Sequence, residues 1–302
     1  MFLGNSVIHK GLLCVRNLSI ASKMHSIAQY QTLKIDSPKE FVFNVQLNRP
    51  DKANAMNTPM WLEIGKCFNE LHENPDCRAI VLSAEGKYFT SGIDLFDIMT
   101  LGEELANHDD IARKIKVLRK FIKTYQDCIT AIEKCDKPVL AAIHNACIGG
   151  GVDLVSTTDM RYCTKDAWFQ LKETEIGMAA DVGTLQRMQK IIGSTSTFNE
   201  LAFTARKFNS SEAKNIGFVS QVYDTKESLL ENVMNIASDI ANKSPVGIQM
   251  TKRSVIYSRD HTVQEGLDHI ADWNQILLQS EDFIKAAMAA ATKDKKPTFS
   301  KL

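Results

Sequence analysis

Apolar residues recur along this chain with two different periods, and the periods sort it into strands and helices. Phe41, Phe43, Val45 and Leu47 fall at every second position, which predicts a half-buried strand stopped by Asn48-Arg49-Pro50. Thr58-Pro59 then opens a helix, because the fixed φ of proline suits the first helical turn. Met60, Ile64, Phe68 and Leu71 recur there at three- and four-residue steps and give the helix one apolar face. Ala79–Leu82 reads as a short buried strand, followed by a long amphipathic helix through Ile111, Ile115, Leu118, Ile122, Tyr125 and Ile129. Pro138–Ile143 is the next strand and runs into Gly149-Gly150-Gly151; Met160–Cys163 and Trp168–Leu171 are also strand-like. Beyond Lys226 the pattern is helical nearly to the end, with Leu229, Val233, Ile236 and Ile240 on one stripe. This order predicts an α/β core over residues 30–225 and a helical C-terminal region over residues 226–299.

Composition narrows the classes. A chain of 302 residues, 44% hydrophobic and 24% charged, can bury one sizeable core. Thirty-six basic residues balance thirty-six acidic ones, so no basic excess points to nucleic acid or an anionic membrane surface. No run of about 18 apolar residues predicts a membrane span. The cysteines are Cys14, Cys67, Cys77, Cys128, Cys135, Cys147 and Cys163, odd in number and without C-x-x-C spacing. A disulfide framework or a zinc site is therefore not expected, and the scattered histidines add no metal site.

The two ends read as addresses. Lys10, Arg16, Lys23 and Lys34 precede the first acidic residue, Asp36, in a leader containing Leu, Ile, Val and Ser. Such a leader resembles a mitochondrial transit peptide, expected with its linker over residues 1–29. Ser300-Lys301-Leu302 is the peroxisomal tripeptide, and the polar Lys293–Pro297 stretch is expected to keep it exposed. The expected destinations are the mitochondrial matrix and the peroxisome, with the import receptors of both as partners.

Chemistry can sit at two loops. Glycines at 149, 150 and 151 let backbone come close to a ligand or turn sharply, and uncovered N–H groups there could stabilise an oxyanion. Phe89-Thr-Ser-Gly-Ile-Asp94 is a second loop, where the Ile93 N–H could face the same ligand; a simple turn explains it as well. Asp153, Glu173 and Asp181 follow. Each alone reads as readily as a cap or a surface charge, but Asp181 lies among small and apolar residues that would raise its pKa. Together they describe enolate chemistry, in which donors hold a thioester-like oxygen while carboxylates move protons. No G-x-S-x-G, P-loop or G-x-G-x-x-G is present, and no Ser or Cys has an adjacent His.

Asn48–Asn57, Ser91-Gly-Ile-Asp94, Ala146-Cys-Ile-Gly-Gly-Gly-Val-Asp153 and Gly183-Thr-Leu-Gln-Arg187 resemble the crotonase (enoyl-CoA hydratase/isomerase) superfamily, in order, over roughly residues 30–299. The resemblance implies a spiral of repeated ββα units with C-terminal helices that build a hexamer as a dimer of trimers. It also implies an acyl-CoA substrate, with no cofactor beyond the coenzyme A of the substrate itself. The oxyanion hole maps onto the Ile93 and Gly150 N–H groups, and the CoA contacts onto Lys52, Ala53 and Ser91–Leu95.

Hydratases of the superfamily typically carry glutamate where Asp153 and Glu173 stand, and glycine where Asp181 stands. With Asp181 as a third carboxylate the chain resembles the dienoyl-CoA isomerase branch, which moves two double bonds toward the thioester. That implies Asp181 as the C2 base, Glu173 as the C6 acid and Asp153 in support. The alternatives are a hydratase or a Δ3-Δ2-enoyl-CoA isomerase on the same fold. A non-catalytic RNA-binding or scaffold relative is the alternative of another class.

Overall fold

A computed structural model describes residues 28–292 and 297–302. The expected leader, up to residue 27, and residues 293–296 of the polar stretch lie outside the described residues. Among the described residues nine strands form two sheets. The larger takes β1 (Leu33–Lys39), β2 (Val42–Leu47), β3 (Ala79–Ala84), β4 (Val139–Ile143), β6 (Met160–Thr164) and β9 (Gln221–Tyr223), in the order β1-β2-β3-β4-β6-β9. The β1–β2 hairpin is antiparallel and every other pair in this sheet is parallel. The smaller sheet takes β5 (Ala146–Ile148), β7 (Trp168–Gln170) and β8 (Phe208–Asn209).

The helices are α1 (Thr58–Glu73), α2 (Leu95–Ala106), α3 (Ile111–Lys134), α4 (Gly150–Ser156), α5 (Thr184–Ile192), α6 (Thr195–Thr204) and α7 (Ser210–Asn215) in the core region. α8 (Lys226–Ala241), α9 (Pro245–Tyr257), α10 (Val263–Leu277) and α11 (Glu281–Thr292) follow. Strands β4 and β5 leading into α4 form one turn of the spiral, a strand in each sheet and then a helix. β6 and β7 begin the next turn, and β7 ends three residues before a short 3-10 turn at Glu173–Ile176.

Alternation along the parallel strands feeds two cores. Phe43, Val45, Leu47, Ile80, Leu82, Ala141 and Ile143 face the main core with α1 and the inner face of α3. Val42, Ala79, Val81, Leu140 and Ala142 face the opposite way, onto Leu229, Val233 and Ala237 of α8. The second strand is therefore buried on both faces, not half-buried, as parallel strands covered by helices are. Its polar positions are matched: Ser83 donates to Asn44 at 2.8 Å and Gln46 donates to Asp36 at 3.1 Å. Phe41 falls outside the strand, in the hairpin turn at φ +60°, under the Arg78 guanidinium.

The stripe on α3 is only half used. Tyr125 and Ile129 are buried, whereas Ile111 and Ile115 are exposed at the far end of the helix. α10 buries no residue and exposes Val263, Leu267 and Ile276. At the tail, Arg78 Nη2 donates to the carbonyls of Phe299 (2.7 Å) and Ser300 (3.0 Å), and Lys301 pairs with Asp76. The side chains of Ser300 and Leu302 stay exposed. Among the described residues no helix is long and apolar enough to cross a membrane, and no cluster of three metal-ligating side chains occurs.

If α8 is an integral layer over the large sheet, Leu229→Ala opens a cavity in a fully buried site. Chemical denaturation should then show a loss of about 2–5 kcal/mol. A loss below about 1 kcal/mol would mean that the helix packs loosely on the sheet.

Candidate active site

Two loops converge at the end of the smaller sheet. Thr90 bridges Cys147 and Ile93 bridges Met56, both in parallel fashion. Met56 N–H donates to Gly92 O (2.8 Å) and Met56 O accepts from Asp94 N–H (3.1 Å). Met56 thus bonds the peptides on either side of Ile93, so the Ile93 N–H faces the other way, toward the glycine turn. Gly150 is the first residue of α4, where an N–H has no acceptor within the helix.

Gly92 lets these groups meet. Its φ is +90°, and a Cβ there would lie 2.7 Å from Ile148 O and 3.7 Å from Gly150 N. Any other residue would push the loops apart. The structure brings the Ile93 and Gly150 N–H groups side by side, an arrangement able to hold a developing oxyanion.

The three carboxylates surround this pair. Gly149 N–H donates to Gln170 O at 2.8 Å, tying the turn to β7, and Glu173 follows three residues after that strand's end. A Cβ built on Gly149 would lie 3.0 Å from Glu173 Oε1, so this carboxylate flanks the oxyanion turn. Asp153, in the first turn of α4, is 1% exposed, and its Oδ1 accepts the Thr184 N–H at 2.6 Å. That bond joins α4 to the start of α5. Asp181 lies three residues before Thr184, half-buried between the buried Ala180 and Val182.

Burial dominates their electrostatics. Lost hydration lifts the Asp153 carboxyl to about 6 against the pull of the Thr184 N–H, with the Asp181 charge adding to the rise. Glu173 rises to about 7, first from burial and then from the Asp153 charge. Asp181 rises too, again from burial. Like charges crowded in a poorly hydrated space hold protons near neutrality, which is what proton-transfer groups require.

All five groups border one largely apolar cavity of about 370 Å³, walled by Trp61, Leu95, Ile148, Ile176, Met178 and Val182. A wider groove of about 920 Å³ along α1 and α3 contains none of them. Convergent polar groups, not size, mark the site. Trp61 stands three residues before Ile64 and seven before Phe68, on the apolar face of α1, so periodicity marks it as core and not as a wall of the site. It is fully buried, donates Nε1–H to Met56 O at 2.9 Å and stacks on Tyr125 at 4.7 Å.

Of the expected binding residues, Ser91, Gly92, Ile93, Asp94, Leu95 and Gly150 line this cavity. Asp94 also caps α2 through the Phe96 N–H (3.2 Å) and pairs with Arg49 (2.9 Å). Lys52 is exposed in the short 3-10 turn Pro50–Lys52 and does not border the cavity. Ala53 O accepts the Ser91 N–H at 3.0 Å, so Ala53 steadies the loop that does.

Known proteins with this pattern are numerous. The family model described as enoyl-CoA hydratase/isomerase matches residues 38–301. Delta(3,5)-Delta(2,4)-dienoyl-CoA isomerase, mitochondrial, of Mus musculus is 52% identical over 277 residues, spanning 90% of this chain and 84% of that protein. The Arabidopsis thaliana protein of the same name, designated peroxisomal, is 43% identical over 92% of this chain and 100% of its own. The crystal structure of a putative enoyl-CoA hydratase from Streptomyces coelicolor A3(2) superposes with a TM-score of 0.81 at 23% identity, covering 93% of this chain and 98% of that one. The spiral fold implied by the resemblance is thus the observed one, and the chain belongs to the enoyl-CoA hydratase/isomerase family.

Proposed function

We propose that this protein isomerises 3,5-dienoyl-CoA to 2,4-dienoyl-CoA in the β-oxidation of unsaturated fatty acids. The observation that carries the proposal is Asp181, a carboxylate beyond the Asp153–Glu173 pair, set in the wall of an apolar cavity that also holds two unpaired N–H donors. The relatives at 52% and 43% identity bear the name of this activity. A hydratase or a Δ3-Δ2 isomerase has no need of a carboxylate at that position.

In this reading the thioester oxygen accepts from the Ile93 and Gly150 N–H groups, which makes the C2 proton acidic. A base removes that proton. The electron pair becomes the C2=C3 bond, the C3=C4 pair moves to C4=C5, and the C5=C6 pair takes a proton at C6. C2 and C6 lie about 5 Å apart by ordinary bond lengths, too far for one carboxylate to serve both easily.

C2 is one bond from the thioester carbon, so its base must stand beside the oxyanion donors. Glu173 does, against Gly149. We therefore take Glu173 as the C2 base and Asp181 as the C6 acid, exchanging the roles implied by the family resemblance. Burial raises both carboxyls, Glu173 to about 7. Position decides the assignment, because a base must contact C2 to deprotonate it, and Glu173 is the carboxylate set against the glycine turn. An acyl chain filling the cavity also strips water from Asp181 and strengthens its hold on a proton. Asp153 supports Glu173 by its charge.

No redox cofactor or metal is required, because the reaction only relocates a proton and two double bonds. Lys52, Ala53 and the Ser91–Leu95 loop would receive the CoA moiety. Exposed Val263, Leu267 and Ile276 of α10 support an oligomer, a hexamer built as a dimer of trimers. The acid-free leader, the Ser300-Lys301-Leu302 tail and the two relatives' designations support residence in the mitochondrial matrix and the peroxisome, through the import receptors of each.

A near-UV absorbance assay tests the activity. With a 3,5-dienoyl-CoA the absorbance should rise as the diene conjugates with the thioester. Asp181→Asn should lower kcat by about 10²–10⁴-fold. Loss of absorbance with a 2-enoyl-CoA, and no response to the diene, would make the protein a hydratase.

The pH dependence follows from proton counting, because the Glu173–Asp181 pair works with one proton between them. At low pH both carboxyls are protonated and there is no base, so kcat/KM should rise with pH as the first ionises. It should fall as pH passes about 7 and the last proton leaves. A kcat/KM that is flat from about pH 6 to 9 would contradict shared-proton catalysis.

A further inference from the structure

One face of α3 grips the loop that carries Asp181. Gln126, Thr130 and Glu133 stand at successive helical steps on that face. Gln126 Nε2 donates to the backbone carbonyl of Asp181 at 2.6 Å. Arg187, one turn into α5, reaches back to Glu133 with Nε (3.1 Å) and Nη2 (2.9 Å), and Nη2 also donates to Thr130 Oγ1 (3.0 Å). Its Nη1 donates to Val182 O at 3.4 Å. The guanidinium lies so close over Gly183, whose φ is +138°, that a Cβ there would be 1.9 Å from Nη1. Glu133 is held from its other side by Arg259.

The loop needs this grip because it separates two spaces. Asp181 and Val182 border the apolar cavity and also a polar cleft of about 730 Å³ lined by Lys123, Gln126, Glu133 and Arg187. Water and cations in the cleft would draw a carboxylate outward, away from the acyl chain. Bonds to the Asp181 and Val182 carbonyls fix the backbone on either side of that choice.

We propose that Gln126 and Arg187 are positioning residues that hold the Asp181 carboxyl toward C6 of the substrate. The inference rests on the isomerase reading and deepens it. It assigns to the Gln126–Thr130–Glu133 face of α3 a part in one proton transfer and none in the other, since Glu173 and the oxyanion donors are fixed by β7 and the glycine turn.

Full-length Gln126→Leu and Arg187→Lys test this with two readouts. Leu keeps the bulk of Gln126 without its donor; Lys keeps the charge of Arg187 without its fork. Isomerisation of a 3,5-dienoyl-CoA should lose about 10- to 100-fold in kcat, with KM within about twofold, as expected for a displaced catalytic group. Exchange of the C2 proton of a 3-enoyl-CoA in D2O, which needs only Glu173 and the oxyanion hole, should match the wild type. Both variants isomerising at the wild-type rate would overturn the proposal, as would C2 exchange falling in step with kcat. A wild type that neither exchanges nor isomerises would instead overturn the activity on which the proposal stands.

Discussion

Three carboxylates set around one apolar cavity are the constraint on which the site depends. Their mutual repulsion and lost hydration would expel them, or leave all three protonated, unless fixed backbone donors and nearby helices held them in place. Asp153 is held by the Thr184 N–H, Glu173 by its turn beside Gly149, and Asp181 by a loop gripped from α3. The discomfort of the arrangement is also its use. A carboxyl lifted to about 7, as Glu173 is, sits midway between giving and taking a proton at physiological pH.

The spiral makes such crowding possible. Strands β2, β3, β4 and β6 of the large sheet each hand the chain to a short strand or bridge in the second layer, so loops distant in sequence end side by side. Residues 90–93, 147–150 and 170–173 become neighbours through single bridges and the Gly149–Gln170 bond. Because the frame is buried on both faces, closed by α8 on one side and by α1 and α3 on the other, it resists the strain of the site.

Much of this was legible in the residues. Alternation at Phe43, Val45 and Leu47 marked a strand, though it could not reveal that Val42 also faces a core, because α8 arrives nearly 200 residues later in the chain. The glycines at 149–151 announced a close backbone approach, and the small residues around Asp181 announced a poorly solvated carboxylate. The order of Glu173 and Asp181 along the acyl chain was not legible, since it depends on which carboxylate touches the glycine turn in space. Trp61 and the α3 grip were hidden for the same reason: neither a residue within an apolar stripe nor a polar helix face declares its partner.

The central claim is that one carboxylate takes the C2 proton and another delivers a different proton at C6. Isomerising a substrate deuterated at C2 in ordinary water, then locating the label by NMR, tests it directly. The account predicts a product with a solvent-derived proton at C6 and no deuterium there. Deuterium carried from C2 to C6 would mean that a single group shuttles the proton, and that the two-carboxylate mechanism is wrong.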